Sequence, residues 1–304
     1  MTEFSISSQN KEILHCCRWE PEGAVRGTVV IIHGISEHIG RYDQFARFLT
    51  AHGFAVVGGD LPGHGGSVSE TAPQGCITGG WKELADAVYQ LYKYTKETWL
   101  ETPCFLLGHS MGSFLARTFL IDHPEAELAG AVLSGTAWQP GALLKAAQTL
   151  CRMEARRVGM DGVSQRVYDL AFGAYNKPFA PNHGPFDWLT RDEAAADRYA
   201  ADPKCGFVPS VGLLWAMMNG LAYNEKKAGL SRMNKALPVF FVSGAEDPVG
   251  SAGKGVEKSA AAFRAAGMQQ VQLRLWPGGR HEMLNEINRQ QVYETLLEWF
   301  EGHL

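Results

Sequence analysis

The sequence predicts an α/β fold in which helices flank a mostly parallel central sheet and a helical insertion interrupts the core. Three observations support this prediction. Short apolar runs alternate with amphipathic helical stretches. The runs are rich in Val, Ile, Leu and Phe and do not alternate with polar residues. This alternation of runs and helical stretches is absent between residues 137 and 232. Continuous apolar runs of strand length are typical of strands that are buried on both faces, as in parallel sheets.

The apolar runs are predicted to be strands of βα units. Between them, apolar residues recur at steps of three and four, so that each intervening helix has one apolar face. The predicted strands are residues 28–32, 55–57, 104–107, 129–133, 238–242 and 271–276.

The segment 137–232 is predicted to be a helical cap. It contains two stretches with helical spacing, 143–157 and 211–223, and a loop rich in Pro, Gly and Asn, but it has no clear βα unit. It lies between the predicted strands 129–133 and 238–242. We therefore expect a core formed by residues 1–136 and 233–304, with the cap inserted between these two parts.

Composition excludes several function classes. The 304 residues carry a net charge of −4, so no basic field is present to attract nucleic acid. The six cysteines form no C-x-x-C pair and no zinc-type spacing, which predicts free thiols, a reducing compartment and no metal. The N-terminal stretch lacks a signal-peptide pattern, and no apolar stretch has membrane-spanning length. We expect a cytoplasmic protein whose partner is a small molecule, with oligomeric state and transient contact with a membrane surface left open.

A candidate nucleophile lies in the segment Gly108-His109-Ser110-Met111-Gly112, which fits G-x-S-x-G. The pattern is short, so its context decides. The preceding residues are predicted to form a buried strand and the following ones a helix, which is the strand–turn–helix setting that the motif needs. Such a turn leaves no room for side chains two positions either side of the serine, and it places the hydroxyl at a helix N-terminus. The alternative is that Ser110 only caps the helix.

A serine hydroxyl needs a base, and the base needs a carboxylate to orient it. Asp247 follows the predicted strand 238–242, and His281 follows the strand 271–276. Both therefore lie beyond the carboxyl ends of strands, at the edge where open α/β sheets build their sites. Glu246 is a rival carboxylate beside Asp247. Both predicted residues also have ordinary structural readings, as a turn residue and a surface histidine.

Acyl transfer also needs N–H groups that stabilise the oxyanion of the tetrahedral intermediate. One donor is expected to be the amide of Met111, the residue after the nucleophile. The other is expected from the loop after strand 28–32, and the amide of Ile35 is the candidate. The alternative for this loop is an ordinary strand-to-helix turn.

Five segments in order resemble the signature segments of the monoacylglycerol lipase / lysophospholipase family of capped, serine aminopeptidase S33-like α/β-hydrolases. They are HGISEHIGRY (33–42), GGDLPGHGGS (58–67), GHSMGS (108–113), GAEDPVG (244–250) and GGRHEMLNE (278–286). The resemblance implies the α/β-hydrolase fold, no cofactor, a catalytic triad of Ser110, Asp247 and His281, and oxyanion amides at Ile35 and Met111. It implies a mainly structural role for the segment 58–67.

The cap is expected to select the substrate. Its apolar residues include Leu144, Trp215 and Met218, which we predict to line a tunnel for an acyl chain above Ser110. The alternative is that these side chains only pack the cap helices together. The predicted reaction is hydrolysis of carboxylic esters such as monoacylglycerols or lysophospholipids through an acyl-enzyme on Ser110.

Other functions remain open at the level of the sequence. An aminopeptidase needs acidic groups in the cap to bind a substrate ammonium, for which Glu154, Asp161 and Asp202 are candidates. A perhydrolase side activity is a further possibility on the same triad. A ligand receptor with slow turnover, built on the same fold, is the alternative outside enzymology.

Overall fold

The computed structural model describes residues 1–7 and 13–304, and a single sheet of eight strands forms its centre. The strands, in chain order, are β1 (Thr2–Ser7), β2 (Ile13–Trp19), β3 (Gly27–Ile32), β4 (Phe54–Gly59), β5 (Cys104–His109), β6 (Gly130–Ser134), β7 (Val239–Gly244) and β8 (Val271–Trp276). Their order across the sheet is β1-β2-β4-β3-β5-β6-β7-β8. Strands β3 to β8 run parallel to one another, while β1 and β2 are antiparallel to their neighbours.

The mostly parallel sheet confirms the predicted fold class, with two differences. All six predicted strands are present, but β1 and β2 were not predicted. The expectation that all six strands are buried on both faces is wrong for β8, in which exposed residues alternate with partly buried ones up to Trp276. This strand lies at the edge of the sheet beside β7, and its alternating exposure indicates that one of its faces meets solvent.

Helices cover both faces of the sheet. They are α1 (Asp43–Ala51), α2 (Gly80–Thr98), α3 (Met111–Asp122), α4 (Gly141–Val158), α5 (Gln165–Phe172), α6 (Glu193–Ala201), α7 (Val211–Asn224), α8 (Lys227–Leu230), α9 (Lys254–Ala265) and α10 (Arg289–Glu301). Apolar residues of α1 and α10 pack on one face of the sheet, and those of α2, α3 and α9 pack on the other. Neighbouring residues of a strand therefore enter opposite layers, as Leu106 and Leu107 of β5 do.

Helices α4 to α8 lie between β6 and β7, in the region predicted to be the cap. Two of them, α4 and α7, include the two helical stretches that the sequence indicated. Helix α7 packs against α4 and also against α2 and α3 of the core. Its Gly220 lies so close to the indole of Trp81 that a β-carbon would come within 2.1 Å of it. The division into core and cap as separate domains stays a prediction.

The expectation of a cytoplasmic protein was based partly on the N-terminal stretch. Residues 8–12 of that stretch lie outside the described residues. Across the ranges that the structure does describe, none of the helices has the length and apolar composition that crossing a bilayer requires.

The turn between β5 and α3 generates a prediction for stability. A β-carbon on Gly112 would lie 2.1 Å from the carbonyl oxygen of Ile32 and 2.5 Å from that of His33. Both carbonyl oxygens belong to the backbone at the end of the central strand β3. They therefore cannot move away from an added β-carbon as a flexible side chain could. We expect Gly112→Ala to destabilise the protein by about 1–3 kcal/mol or more, measured as a lower midpoint of urea unfolding.

Gly141→Ala is the matched control, since the space around Gly141, at the start of α4, is open. Alanine there is expected to change stability by no more than about 1 kcal/mol, in the stabilising direction. Equal midpoints for the two variants would contradict the close packing of the turn.

Candidate active site

Ser110 occupies the sharp turn between β5 and α3. Its backbone has φ 52° and ψ −122°, a conformation that non-glycine residues rarely adopt, and its amide donates a 2.9 Å hydrogen bond to the carbonyl of Ser134. A β-carbon on Gly108 would lie 2.3 Å from the carbonyl oxygen of Gly112. The glycines of the motif are therefore required because backbone passes where their side chains would be.

Asp247 and His281 meet beyond the ends of β7 and β8. The Nδ1 atom of His281 lies 2.9 Å from Oδ2 of Asp247. That oxygen also accepts a 3.0 Å bond from the hydroxyl of Ser243, and Oδ1 accepts a 2.9 Å bond from the amide of Val249. Both side chains are buried. The structure thus brings together the acid and the base that the sequence indicated, although they are 34 residues apart.

Ser110 and His281 line the same cavity. The imidazole of His109, the residue before the serine, lies with its centroid 4.6 Å from that of His281. No hydrogen bond joins Ser110 to His281 among those of residues 1–7 and 13–304. Because bonds between catalytic groups are often long before the substrate binds, the assignment of the three residues as a triad stays a prediction.

The pKa values of the acid–base pair depend on their mutual attraction. Burial acts to raise the pKa of Asp247, but the charge of His281 and the hydrogen bonds to the carboxylate lower it below its usual value. Burial acts to lower the pKa of His281, but the charge and hydrogen bond of Asp247 raise it above 6.5. Asp247 is therefore ionised at neutral pH, and it stabilises a proton on His281.

His109 has the opposite electrostatic behaviour. Burial and the neighbouring charge of His281 lower its pKa to about 4. It is therefore neutral at physiological pH, and its Nδ1 lies 3.4 Å from the hydroxyl of Ser134. From the sequence, His109 has no predicted role beyond its place in the motif.

The two candidate oxyanion amides belong to elements that end near Ser110. Met111 begins α3, and Ile35 lies in the loop after β3, where its side chain lines the cavity. Within the described part of the chain, neither amide donates a hydrogen bond to a protein group. A β-carbon on the preceding Gly34 would lie 3.0 Å from Cβ of Ser110, so this loop packs closely against the serine. Both N–H groups are thus unpaired beside the serine, which is what an oxyanion site needs.

A buried ion network that was not predicted from the sequence supports this loop. Glu37 accepts a 2.6 Å bond from the amide of Gly34 and a 2.6 Å bond from Arg41. Arg41 also binds both carboxylate oxygens of Glu282, at 2.7 and 2.6 Å. Glu282 directly follows His281, so Arg41 joins the loop of Ile35 to the loop of the candidate base. The only local signal was the four-residue spacing of Glu37 and Arg41 within HGISEHIGRY.

The network keeps its charges because they are paired. Burial acts to raise the pKa of Glu37, but the attraction of Arg41 and further positive and hydrogen-bonding groups lower it to about 2. The guanidinium of Arg41 also lies 4.7 Å from the ring centroid of Tyr199 in α6. The hydroxyl of Tyr199 donates a 2.8 Å bond to the carbonyl of Ser36. The cap region and the loop of Ile35 are therefore held together.

The cavity above Ser110 has a volume of about 300 Å³. Leu144 and Met218 line it, as predicted. Trp215 is not among its lining residues, and its indole lies 6.0 Å from the guanidinium of Arg152, so its role as a substrate contact stays a prediction. Most of the wall is apolar or aromatic, and it includes Phe114, Leu143, Leu144, Ala147, Cys151, Val167, Leu170, Phe172, Tyr175, Phe186, Trp188, Leu189, Met217, Met218, Leu221 and Val249.

The acidic residues proposed for binding an ammonium do not line this cavity. Glu154 binds Arg157 and Ser164, and Asp202 binds His38. Asp161 is exposed elsewhere on the surface. The carboxylates on the cavity wall, among the residues described, are those of Glu37 and Glu282, and both are bound to Arg41.

The geometry predicts how the base responds to loss of its partner. In Asp247→Asn we expect the pKa of His281 to fall, because burial still disfavours the imidazolium while the attraction of the carboxylate is gone. The measurement is an NMR titration of the His281 ring. Asp197→Asn is the matched control, since Asp197 pairs with the exposed His183 at 3.0 Å. An unchanged pKa of His281 in Asp247→Asn would disprove the coupling.

Comparisons with known proteins agree with this geometry. Residues 23–288 match the model of the serine aminopeptidase S33 family. The monoacylglycerol lipase of Mycolicibacterium smegmatis is 26% identical over 294 residues, which cover 94% of this chain and 92% of that protein. The human monoglyceride lipase is 32% identical over 122 residues, which cover 40% of this chain and 39% of that protein.

Solved structures show the same fold. A thermostable carboxyl esterase from Bacillus coagulans, solved in complex with glycerol, superposes with a TM-score of 0.91 at 26% identity, covering 99% of this chain and 98% of that one. The monoglyceride lipase of Saccharomyces cerevisiae has a TM-score of 0.74 at 19% identity, covering 99% and 94%, and it shows the shared fold alone. Since the family match spans most of the sequence, the chain belongs to the serine aminopeptidase S33 family of α/β-hydrolases.

Proposed function

We propose that this protein is a carboxylic ester hydrolase that cleaves lipid esters of the monoacylglycerol or lysophospholipid type through an acyl-enzyme on Ser110. The observation that carries the proposal is the shared cavity: Ser110 and His281 line a chamber whose wall is mostly apolar, and His281 is paired with the buried Asp247. An apolar chamber next to a nucleophile and a base suits an ester with a hydrocarbon acyl chain. The relatives named as lipases and esterases support the same class.

In the proposed reaction His281 accepts the proton of the Ser110 hydroxyl while Ser110 attacks the ester carbonyl. Asp247 holds Nδ1 of the imidazole, which leaves Nε2 to accept that proton. The amides of Ile35 and Met111 stabilise the oxyanion, and His281 then returns the proton to the leaving alcohol. A water molecule, activated by the same histidine, releases the acid and restores the serine. Since His281 must be neutral to act, the rate falls as the pH drops through its raised pKa.

The pairing of the cavity-wall carboxylates with Arg41 disfavours aminopeptidase activity, although the family is named for an aminopeptidase. A free α-ammonium needs an unpaired carboxylate, and the carboxylates on the described cavity wall already share Arg41. Burying an unpaired ammonium in an apolar chamber costs several kcal/mol. Ester substrates make no such demand. The receptor alternative requires that turnover be slow, and steady release of product from an ester would exclude it.

Ser110→Ala tests the nucleophile. We expect it to lose covalent labelling by a fluorophosphonate probe and to lower kcat for ester hydrolysis by about 10⁶-fold, because the proposed acyl-enzyme forms on the Ser110 hydroxyl. Labelling is read from the intact mass of the protein. The matched control is Ser251→Ala, because Ser251 also lines the cavity and should leave labelling complete. Labelling of Ser110→Ala at one equivalent would show that another residue is the nucleophile.

A pair of substrates tests ester against peptide specificity. We expect kcat/KM for medium-chain p-nitrophenyl esters and monoacylglycerols to exceed that for aminoacyl p-nitroanilides by at least about 100-fold, since Arg41 already pairs with the carboxylates on the described cavity wall. An N-acetylated anilide is the control that separates the effect of the charge from that of the amide bond. A preference for the free aminoacyl anilide would contradict the proposed substrate class.

A further inference from the structure

Three potential metal ligands meet where the cap region contacts the loop after β3. They are His38 in that loop and Asp202 and Cys205 in the turn after α6. Their nitrogen, carboxylate and sulfur atoms all lie within 4.8 Å of one another. Nε2 of His38 lies 2.9 Å from Oδ2 of Asp202. The catalytic chemistry proposed above uses none of these side chains.

We propose that His38, Asp202 and Cys205 form a binding site for one Zn²⁺ ion that joins the cap region to the loop of Ile35. Imidazole, carboxylate and thiolate are the ligand types that zinc takes in proteins, and three protein ligands with one water molecule form a familiar tetrahedral set. Zinc bonds of about 2.0–2.3 Å place ligand atoms about 3.5 Å apart, so small side-chain movements complete the site.

The backbone already orients the ligands from the cap. The amide of Lys204 donates a 2.8 Å bond to Oδ1 of Asp202, which leaves Oδ2 directed at His38. The amide of Cys205 donates a 2.9 Å bond to the carbonyl of Asp202, which closes a turn and brings the thiol back towards the carboxylate. Hydrogen-bond partners of this kind hold the metal ligands in place and raise the affinity for a metal.

An ion can reach the site from solvent. The side chains of His38 and Asp202 are 16% and 31% exposed, and both line a surface cleft together with Gly40, Gln44 and Arg198. The cleft supplies room for the water ligand. Cys205 is buried, at 8% exposure. The histidine and the carboxylate are therefore the more exposed ligands of the cluster.

Charge and protons balance at this site. Cys205 releases its thiol proton to solvent when it binds, so that one thiolate and one carboxylate neutralise the two charges of the ion. His38 keeps its single proton but moves it from Nε2 to Nδ1, because Nε2 becomes the ligand. The rearrangement gives up a weak 3.2 Å bond from the amide of Gly40 to Nδ1.

A bound ion would strengthen contacts that exist already at this junction. The amide of Gly206, next to Cys205, donates a 2.9 Å bond to the carbonyl of Ser36, and the hydroxyl of Ser36 donates a 2.9 Å bond to the carbonyl of Phe207. Ser36 follows Ile35, so the ion would hold the cap turn against the loop that carries a candidate oxyanion amide. Zinc is thereby expected to stabilise the folded protein and to slow amide exchange in residues 199–207.

Cobalt substitution is the direct test. Co²⁺ added to the purified full chain should give a thiolate-to-cobalt charge-transfer absorption that saturates at one equivalent, and Zn²⁺ should displace it. Zn²⁺ at about 100 times its dissociation constant should raise Tm by about 4 °C. Cys205→Ser should abolish the thiolate absorption, and Asp202→Asn and His38→Gln should each lower the affinity for Zn²⁺ at least about ten-fold.

Two matched variants separate this site from other thiols and histidines. Cys76 is also 8% exposed, and Cys76→Ser should keep the full absorption. His183 pairs with Asp197 without a cysteine, and His183→Gln should keep the affinity. Ser110→Ala should bind the ion like the wild type, so failure of the proposed function would not affect this result. Absence of the charge-transfer band in the wild type, or its persistence in Cys205→Ser, would overturn the proposal.

Discussion

The turn between β5 and α3 is the constraint on which the candidate site depends. The helix starts so close to the sheet that the backbone of Gly112 touches the carbonyls at the end of β3. A β-carbon does not fit there, and the neighbouring Ser110 adopts a strained backbone conformation with a positive φ. The same close approach sets the N-terminus of α3 beside the loop of Ile35. The candidate nucleophile, the two candidate oxyanion amides and the end of β3 thus lie together at this packing contact.

Buried charges organise the rest of the site, and each is compensated. Asp247 is matched by His281 and two further hydrogen-bond donors, while Arg41 is shared by Glu37 and Glu282. Removing one member of such a group leaves an uncompensated charge and costs about 3–5 kcal/mol. Because Glu282 follows His281, the position of the candidate base is coupled to that of the Ile35 loop. The network therefore connects two parts of the proposed machinery.

The cap region supplies most of the apolar wall of the cavity, and helix α7 shows why its role was only partly predictable. This helix is apolar on nearly every face, since it packs against both α4 and the core helices α2 and α3. Its sequence therefore cannot indicate which face meets the cavity. Met218 does, whereas Trp215 faces Arg152. Strands β1 and β2 were missed for a related reason, because short antiparallel strands with mixed polar residues are recognisable only by their partners.

The sequence by itself determined the parallel core and the order of Ser110, Asp247 and His281 along the ends of strands. These features follow from local patterns: apolar runs of strand length, helical spacing, and glycines at the positions where a sharp turn excludes side chains. Tertiary structure alone decided the Arg41 bridge, the wall of the cavity and the meeting of His38 with Asp202, which are 164 residues apart. A contact between distant segments depends on how the helices and strands pack. The local sequence around either residue therefore does not indicate that contact.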